Sequence, residues 1–321
     1  MDGGVEFRCW DELIPDALAL IFGNLSLQEI LTVIPRVCKS WGKAVKGPYC
    51  WQEIDIEEWG HHRQPEHLDR MLEMLVTRSS GSLRKLCVSR LSNDLIFSFI
   101  ADHAGSLQIM RVPRSDISDS IVEKVAGRLS TITFLDVSYC RKIGARALEA
   151  IGKHCKMLVR LRRIMNPLDM VDEDSQDDEA HAIATTMPKL KHLDIAYLLI
   201  TTGGVLEILS NCRELEFLDL RGCWDVKLDE KFLKEKCSRL KVLRPLVMDH
   251  YEMNGWDDCS ECSDSSGHLT WEFAASEMED YDEESFDGVS VDEQRLEDLE
   301  LTFFESLSFD DDPELYWPPS P

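Results

Sequence analysis

Few side chains in this sequence are spaced as metal ligands. Cys259 and Cys262 form a single C-x-x-C pair with His250 and His268 nearby, but a zinc site of this type needs a second pair of ligands at matching spacing. The acidic residues between 172 and 178 lack the glycine and the bidentate glutamate of a calcium-binding loop. The sequence therefore predicts no metal site and no cofactor.

The sequence also lacks the motifs of common catalytic and phosphate-binding sites. It contains no G-x-S-x-G, H-E-x-x-H or G-x-G-x-x-G and no Walker-type phosphate loop. Its nine histidines are scattered, and no motif pairs one of them with a cysteine. We therefore predict that the protein is not an enzyme and acts by binding.

The side chains that could bind a partner alternate with apolar residues in short segments. Two examples are Leu190-Lys-His-Leu193-Asp-Ile195 and Leu215-Glu-Phe-Leu218-Asp-Leu220. Alternation places the apolar residues on one side of a strand and the remaining residues on the other side. Exposed Phe and Arg residues are enriched at the centres of protein interfaces. We predict that the outward-facing residues of these segments bind a protein substrate, and they are Lys85, Cys87, Ile109, Arg111, Phe134, Asp136, Arg160, Arg162, His192, Asp194, Phe217, Asp219, Arg221 and Arg244.

Segments of this kind recur at a nearly constant interval. They begin at Leu83, Leu107, Ile132, Leu158, Leu190, Leu215 and Leu240, with spacings of 24, 25, 26, 32, 25 and 25 residues. Apolar residues at helical spacing follow them, as in Leu95, Ile96, Phe99 and Ile100. A chance run of leucines in a helical bundle would not keep this spacing. An L-x-x-L-x-L core with this period predicts an α/β fold, a short leucine-rich-repeat solenoid of parallel strands and outer helices over residues 82–248.

The 32-residue unit contains an acidic insert near residues 166–180, which we predict to be a surface loop. Several cysteines keep a fixed place in the repeats: Cys155, Cys212 and Cys237 precede a repeat start by three residues, while Cys140 and Cys223 follow a strand. This pattern resembles the cysteine-containing class of leucine-rich repeats, and it predicts small buried side chains. A disulfide framework would need a secreted chain, and residues 1–8 have neither the basic nor the apolar part of a signal peptide.

The N-terminal segment 10–50 reads as three short helical segments. Pro15 suits the first position of a helix, Ser26 with Glu29 forms a capping box, and Pro35 ends or kinks the second segment. About forty residues bury little core by themselves, so we expect this segment to be stabilised by packing against a partner. The alternative is an ordinary three-helix cap whose apolar residues all face inward.

The same segment resembles an F-box. The family pattern is a Leu-Pro opening, a Val-Cys-Lys/Arg-x-Trp stretch and a further Trp about ten residues on, which here are Ile14–Pro15, Val37–Trp41 and Trp51, with Ile14 replacing the usual Leu. The resemblance implies docking on the Skp-type adaptor of a cullin-based ubiquitin ligase. The apolar residues that it implies for this contact are Ile14, Pro15, Leu18, Ile21, Leu25, Leu31, Val37 and Trp41.

Two further parts complete the predicted organisation. Residues 1–9 are expected to be flexible. Residues 51–81 match the repeat template with Trp51 in the first position and an amphipathic helix over 65–78, and we interpret them as a divergent capping repeat.

Acidity is confined to the C-terminal part of the chain. The 321 residues carry a net charge of −25, and residues 249–321 hold 24 acidic residues against one basic residue, Arg295. Such a charge predicts a largely disordered tail, although aromatic residues such as Trp256 and Phe303 suggest short docking segments. An acidic tail argues against phosphate binding there, so we predict no nucleic-acid partner. No stretch is long enough to predict a membrane span, and we predict no membrane partner.

The whole pattern resembles plant F-box/leucine-rich-repeat proteins of the FBW type, most specifically over residues 10–60 and 131–245. The resemblance implies a substrate-recognition adaptor of an SCF-type ubiquitin ligase, joined to cullin and RING subunits through a Skp-type adaptor, in the nucleus or cytoplasm. One alternative is a scaffold or transcriptional co-regulator acting through the acidic tail. Another is a small-molecule co-receptor using Arg160, Arg162 and Arg163. The sequence does not identify the substrate.

Overall fold

The structure is a computed structural model that describes residues 10, 13–57, 65–103, 105–166, 175–228 and 240–243. The chain divides into two compact units, residues 1–246 and 247–321, and the described residues all belong to the first unit. The segment 1–9, the acidic tail and Arg244 lie outside the described residues, as do Cys237 and the C-x-x-C pair.

Short helices make up the N-terminal part of the described chain. They are α1 (Pro15–Phe22), α2 (Leu27–Thr32), α3 (Ile34–Val37), α4 (Lys39–Lys46) and a 3₁₀ helix (Pro48–Trp51). The sequence predicts three helical segments in this region, and that number is wrong. Cys38 takes an extended conformation (φ −159°, ψ 167°), which separates α3 from α4.

Local sequence signals set the starts of the first two helices. Pro15 occupies the first turn of α1, where its missing N–H costs no hydrogen bond. The backbone N–H of Glu29 donates to Ser26 Oγ (3.3 Å), and the N–H of Ser26 donates to the Glu29 carboxylate (2.9 Å). The predicted capping box is therefore confirmed, and this bond lowers the pKa of Glu29.

The N-terminal helices share one apolar core with the rest of the described chain. Leu18, Phe22 and Ile34 are buried in this core together with Trp51, which has no exposed surface. The indole N–H of Trp51 donates to the Val45 carbonyl (2.8 Å). A large buried side chain with a satisfied polar atom thus fixes the end of the helical region against the strands that follow.

Within the described residues the strands form one eight-stranded parallel sheet whose order follows the sequence. Each predicted repeat start is followed within two residues by a strand. The strands are β1 (Glu53–Asp55), β2 (Lys85–Cys87), β3 (Ile109–Arg111), β4 (Phe134–Asp136), β5 (Arg160–Arg162), β6 (His192–Asp194), β7 (Phe217–Asp219) and β8 (Lys241–Leu243).

Neighbouring strands pair without offset, and their ladder continues past each strand. Phe134 pairs with Arg160, and Arg160 pairs with His192. Beyond the strands, the N–H of Val112 donates to the carbonyl of Asp136 (2.9 Å), and the N–H of Tyr139 donates to that of Ile164 (2.7 Å). Equivalent residues of successive units therefore lie side by side in rows across the sheet.

One helix stands between each pair of consecutive strands from β1 to β7. These helices are α5 (Pro65–Arg78), α6 (Asp94–His103), α7 (Asp119–Val125, extended by a 3₁₀ turn, Ala126–Leu129), α8 (Ala145–His154), α9 (Asp177–Thr186) and α10 (Thr202–Asn211). The helix predicted over 65–78 is confirmed. Each helix packs on its sequence neighbour. Among the described residues, none belongs to a helix that is long and apolar enough to cross a bilayer.

Close packing between helices depends on glycine at two places. A Cβ atom added at Gly152 of α8 would lie 1.9 Å from Thr186 Oγ1 of α9, and one added at Gly204 of α10 would lie 2.6 Å from Asp177 Oδ1. Neither distance is possible between real atoms, so glycine lets α8 and α10 approach α9 closely.

The interpretation of the insert as a surface loop is partly wrong. Residues 167–174 lie outside the described residues, but Asp177 already starts α9 and Glu179 is buried. Glu179 accepts hydrogen bonds from Arg163 Nε (3.1 Å) and Nη2 (3.2 Å), and Arg163 is itself 1% exposed. The end of the insert therefore supplies the partner of a buried cation.

The periodic cysteines form a set of equivalent contacts. Cys140, Cys155, Cys212 and Cys223 are buried, as the sequence predicts. Their thiols donate to carbonyl groups of the preceding unit, at Val112 (3.2 Å), Leu129 (3.2 Å), Met187 (3.4 Å) and Ile195 (3.2 Å) respectively. The small side chain fills the space between units, and the weak donor satisfies a buried carbonyl.

Candidate binding surfaces

The N-terminal helices expose large apolar side chains although other apolar residues of theirs are buried in the shared core. Leu20 of α1 is 79% exposed, Ile14 is 66% exposed and Val37 is 53% exposed. Ile14 directly precedes α1 and Ile21 belongs to its last turn. A group of such side chains typically marks a protein interaction site. We call the exposed large apolar residues between positions 14 and 49 the helical surface: Ile14, Leu20, Ile21, Leu25, Val33, Val37 and Tyr49.

Most of the residues implied for adaptor contact do reach the surface. Ile14, Pro15, Ile21, Leu25 and Val37 are exposed, while Leu31 and Trp41 are partly buried against the core. Trp41 packs edge-on against Phe22, with ring centroids 5.2 Å apart.

Leu18 requires a correction, because it has no exposed surface and belongs to the core. It cannot contact a partner in this conformation. Leu20, Val33 and Tyr49 were missed by the sequence argument and are exposed. A signal was available for Leu20: residues 17–22 of α1 are all apolar, and such a short helix cannot bury every side of itself in one core.

The strands expose one row of side chains at their first positions. Lys85, Ile109, Phe134, Arg160, His192 and Phe217 are all partly exposed on the same face. We call this face, with the charged groups at the third strand positions, the strand face. The strand face carries the predicted substrate-binding residues that the structure describes. One of them, Arg221, follows β7 by two residues and is exposed.

The sequence predicts that the residues at the third position of each strand are exposed, and for four of them this prediction is wrong. Cys87, Asp136, Asp194 and Asp219 are buried. The aspartates are covered because arginine side chains lie over them. Asp136 also bends back to accept hydrogen bonds from the N–H (3.1 Å) and Oγ (2.7 Å) of Ser138.

The buried aspartates hold partly exposed arginines in a chain of ion pairs. Arg111 lies 3.2 Å from Glu57 and 3.4 Å from Asp136, and Arg162 lies 3.7 Å from Asp136 and 3.0 Å from Asp194. Burial raises the pKa of Glu57 despite the opposing charge of Arg111. Burial acts to lower the pKa of Arg111, but Glu57 and Asp136 outweigh it, and the pKa is raised. The guanidinium groups are thereby fixed in place before any partner binds.

A second ion pair repeats this arrangement at the end of β7. Arg221 Nη2 donates to Asp219 Oδ2 (2.7 Å), and the backbone N–H of Arg221 donates to Asp219 Oδ1 (3.0 Å). The hydrogen bond to Asp219 is the main reason that the pKa of Arg221 is raised. This arginine is thus also oriented by a buried carboxylate.

The three arginines proposed for a small molecule do not converge on one pocket. Arg160 and Arg162 belong to the strand face, whereas Arg163 is buried with Glu179. Burial raises the pKa of Glu179, and Arg163 opposes this effect. A polar cavity of about 370 Å³ lies beside this pair and is lined by Asp119, Arg141, Lys142, Gly144, Gln176 and Glu179, among others.

Within the described residues, one group of side chains has ligand atoms close enough for a metal ion: Asp55, Glu57 and Cys87, within 4.8 Å of one another. Its acids already have cationic partners, because Asp55 lies 3.6 Å from Lys85 and Glu57 lies 3.2 Å from Arg111. Burial raises the pKa of Cys87 to about 12, so its thiol stays protonated. This group does not suit a cation, which must compete for deprotonated ligands.

Comparison with known proteins bears on both surfaces. The family model described as F-box domain matches residues 10–53, which include the helices of the helical surface. The chain is 56% identical to F-box protein FBW2 of Arabidopsis thaliana over the full length of both proteins. It is 34% identical to F-box protein SKIP1 of the same plant, over 73% of this chain and 85% of that protein.

The name of a third relative refers to an LRR repeat as well as to the F-box. The chain is 32% identical to putative F-box/LRR-repeat protein 23 of Arabidopsis thaliana, over 74% of this chain and 54% of the relative. The match to the F-box model, the full-length identity to FBW2 and the exposed apolar residues of the matched helices agree with one another. This chain belongs to the F-box protein family and resembles its FBW type.

Proposed function

We propose that this protein is the substrate-recognition adaptor of an SCF-type ubiquitin ligase. The F-box binds a Skp-type adaptor through the helical surface and so joins the cullin and RING subunits, and the strand face binds a protein substrate for ubiquitination. The protein has no catalytic role in this scheme. The observation that carries the proposal is a group of exposed apolar side chains within the segment that matches the F-box model.

The strand–helix units form a leucine-rich-repeat solenoid in this proposal. Support comes from the regular spacing of the strands, their sequential parallel order and a relative named for such repeats. A sheet built from successive units presents one long row of side chains to a client. The ordered arginines of the strand face suit this use, because their conformational freedom is already lost before binding.

Replacing Leu20 by Asp tests the docking step. Leu20 is 79% exposed, so the change should leave the fold intact while it places a charge in an apolar interface. We expect capture of a Skp-type adaptor to fall at least about tenfold, since an unpaired charge at a buried interface costs more than about 1.4 kcal/mol. Binding is measured with the purified adaptor by calorimetry.

The chain offers a matched control for this experiment. Leu95 lies in the first turn of α6, outside the F-box, and is 80% exposed. The change Leu95→Asp should leave adaptor binding unchanged. Equal binding by the wild type and by Leu20→Asp would contradict docking through the helical surface, provided that circular dichroism shows both proteins folded.

A further inference from the structure

Four side chains make a continuous row at the centre of the strand face. Phe134, Arg160, His192 and Phe217 occupy the first positions of β4, β5, β6 and β7 and pair directly in register. Neighbouring strands are about 4.8 Å apart, so the row is roughly 14 Å long. All four residues are partly exposed. We call them the central row.

Arg160 differs from the other arginines of the strand face in its hydrogen bonding. Its guanidinium carbon lies 4.6 Å from the centroid of the Phe134 ring, which orients the group by a cation–π contact. Among the described residues it has no hydrogen-bond acceptor: its ion pair with Asp194 is long, at 3.9 Å, and its buried Nε atom has no partner. Arg162, by contrast, donates to Asp194 at 3.0 Å.

This arrangement leaves an oriented guanidinium group, without hydrogen bonds among the described residues, between the aromatic rings of Phe134 and His192. Arginine donors pair best with a carboxylate or a phosphate. On the other side of Arg160, the rings of His192 and Phe217 lie 6.1 Å apart, tilted by 35°, and offer a second aromatic surface. A ligand that fits the row must therefore bring an anionic group together with apolar side chains.

We infer that the central row binds an acidic peptide segment of a client protein, with a Glu or Asp carboxylate on Arg160 and apolar side chains against Phe134 and Phe217. The inference rests on the proposed function, which places the client on the strand face. It defines the chemical class of the segment that is recognised.

The small number of available cations favours a carboxylate over other anions. A phosphate group carries up to two negative charges and is typically recognised by a cluster of arginines, whereas one guanidinium group matches one carboxylate. A nucleic acid needs several unpaired cations along its backbone, whereas Arg111, Arg162 and Arg221 are already paired with acids. Among the described arginines of the strand face, Arg160 is the one without a hydrogen bond to an acid, which suits one acidic side chain of a protein.

A peptide array tests this inference on the full-length protein. The probes are synthetic nine-residue peptides of the pattern Phe-x-Glu-x-Phe with randomised remaining positions, since four steps of about 3.3 Å span about 13 Å and alternation points all three side chains to the same side of an extended peptide. Parallel arrays replace Glu by Gln, Glu by phosphoserine, or both Phe by Ala. We expect the Glu array to bind at least about tenfold more tightly than the Gln and Ala arrays.

Variants of the protein test whether Arg160 causes the preference for Glu over Gln in the peptides. The change Arg160→Gln should abolish the preference for Glu over Gln, while Arg146→Gln on α8, which removes an exposed pair with Glu123, should retain it. Stronger binding of the phosphoserine array, or an unchanged preference in Arg160→Gln, would overturn the inference. Adaptor binding by the Leu20 and Leu95 variants is measured separately, so failure of the docking step and failure of this inference are distinguishable.

Discussion

At the scale of single residues, burial decides which side chains can contact a partner. Leu18 and Leu20 stand two positions apart in one helix, yet the first is in the core and the second is 79% exposed. The aspartates of the strand face are similarly hidden under the arginines that they hold. Arg163 is a charged side chain that is almost completely buried. It pairs with Glu179 and donates to the carbonyls of Cys140 (3.2 Å) and Ile143 (2.6 Å).

The change Arg163→Met should destabilise the protein strongly. It leaves the buried Glu179 without its cation, and breaking a buried pair by removing one partner costs about 3–5 kcal/mol. Urea denaturation followed by circular dichroism measures the free energy of unfolding. The double variant Arg163→Met/Glu179→Leu should recover much of the loss, because it removes both buried charges. A loss below about 1 kcal/mol in the single variant would contradict a buried ion pair.

Cysteine reactivity gives a second prediction at this scale. Burial raises the pKa of the thiols to about 12 at Cys140 and Cys223 and to about 11 at Cys155 and Cys212. They therefore stay protonated at pH 8, and only the thiolate reacts. Among the cysteines that the structure describes, alkylation under native conditions, mapped by mass spectrometry, should modify the partly exposed Cys38 first. Rapid native labelling of these four cysteines would show that the units open.

At the scale of elements, the units are held together by contacts between equivalent positions. Each thiol of the cysteine set reaches the carbonyl of the preceding unit, and consecutive helices pack in sequence order. Stability of such an array comes from the interfaces between neighbours. The interface of α8 with α9 is the one in which glycine leaves the least space.

The change Gly152→Ala should destabilise this interface although alanine favours helices. The added Cβ would lie 1.9 Å from Thr186 Oγ1 and 2.5 Å from Thr186 Cβ, so α8 and α9 must separate, at a cost of about 1–3 kcal/mol. Thermal denaturation measures the effect. Gly127→Ala is the control, because its Cβ would meet His154 at an ordinary 3.6 Å. Equal melting temperatures for the two variants would show that the helices adjust without cost.

At the scale of the whole described unit, one apolar core runs from Leu18 in the F-box to Val226 after the last complete repeat. Trp51 stands where the helices meet the sheet, and Arg78 of α5 lies over its ring at 5.7 Å from the centroid. A shared core keeps the helical surface in a fixed relation to the strand face. In the proposed ligase this fixes the position of a client relative to the adaptor.

The change Trp51→Ala should loosen both sides of this junction at once. Removing a fully buried Trp side chain costs about 3–5 kcal/mol. Hydrogen exchange measured by mass spectrometry should therefore become faster in α1–α4 and also in β1 and α5. Tyr49→Ala, at a neighbouring position that is 49% exposed, should change little. Faster exchange on one side alone would mean that the helices and the sheet unfold independently.

The sequence by itself determined the strands of the repeats and their pairing. The leucine spacing placed a strand after every repeat start, because alternating apolar residues can be buried only on one side of a strand, and equal spacing puts equivalent residues in register. Ser26 with Glu29 and Pro15 marked helix starts through local hydrogen bonding. The match of residues 10–53 to the F-box model agrees with the motif found there.

Only the tertiary structure decided what each side chain does. Whether Leu18 or Leu20 is exposed depends on which side of α1 meets α4 and Trp51, and these contacts join residues far apart in sequence. The pairing of Arg163 with Glu179 and the covering of Asp194 by Arg162 likewise depend on neighbouring units. A local pattern states which residues share a face, but burial is a property of everything packed against that face.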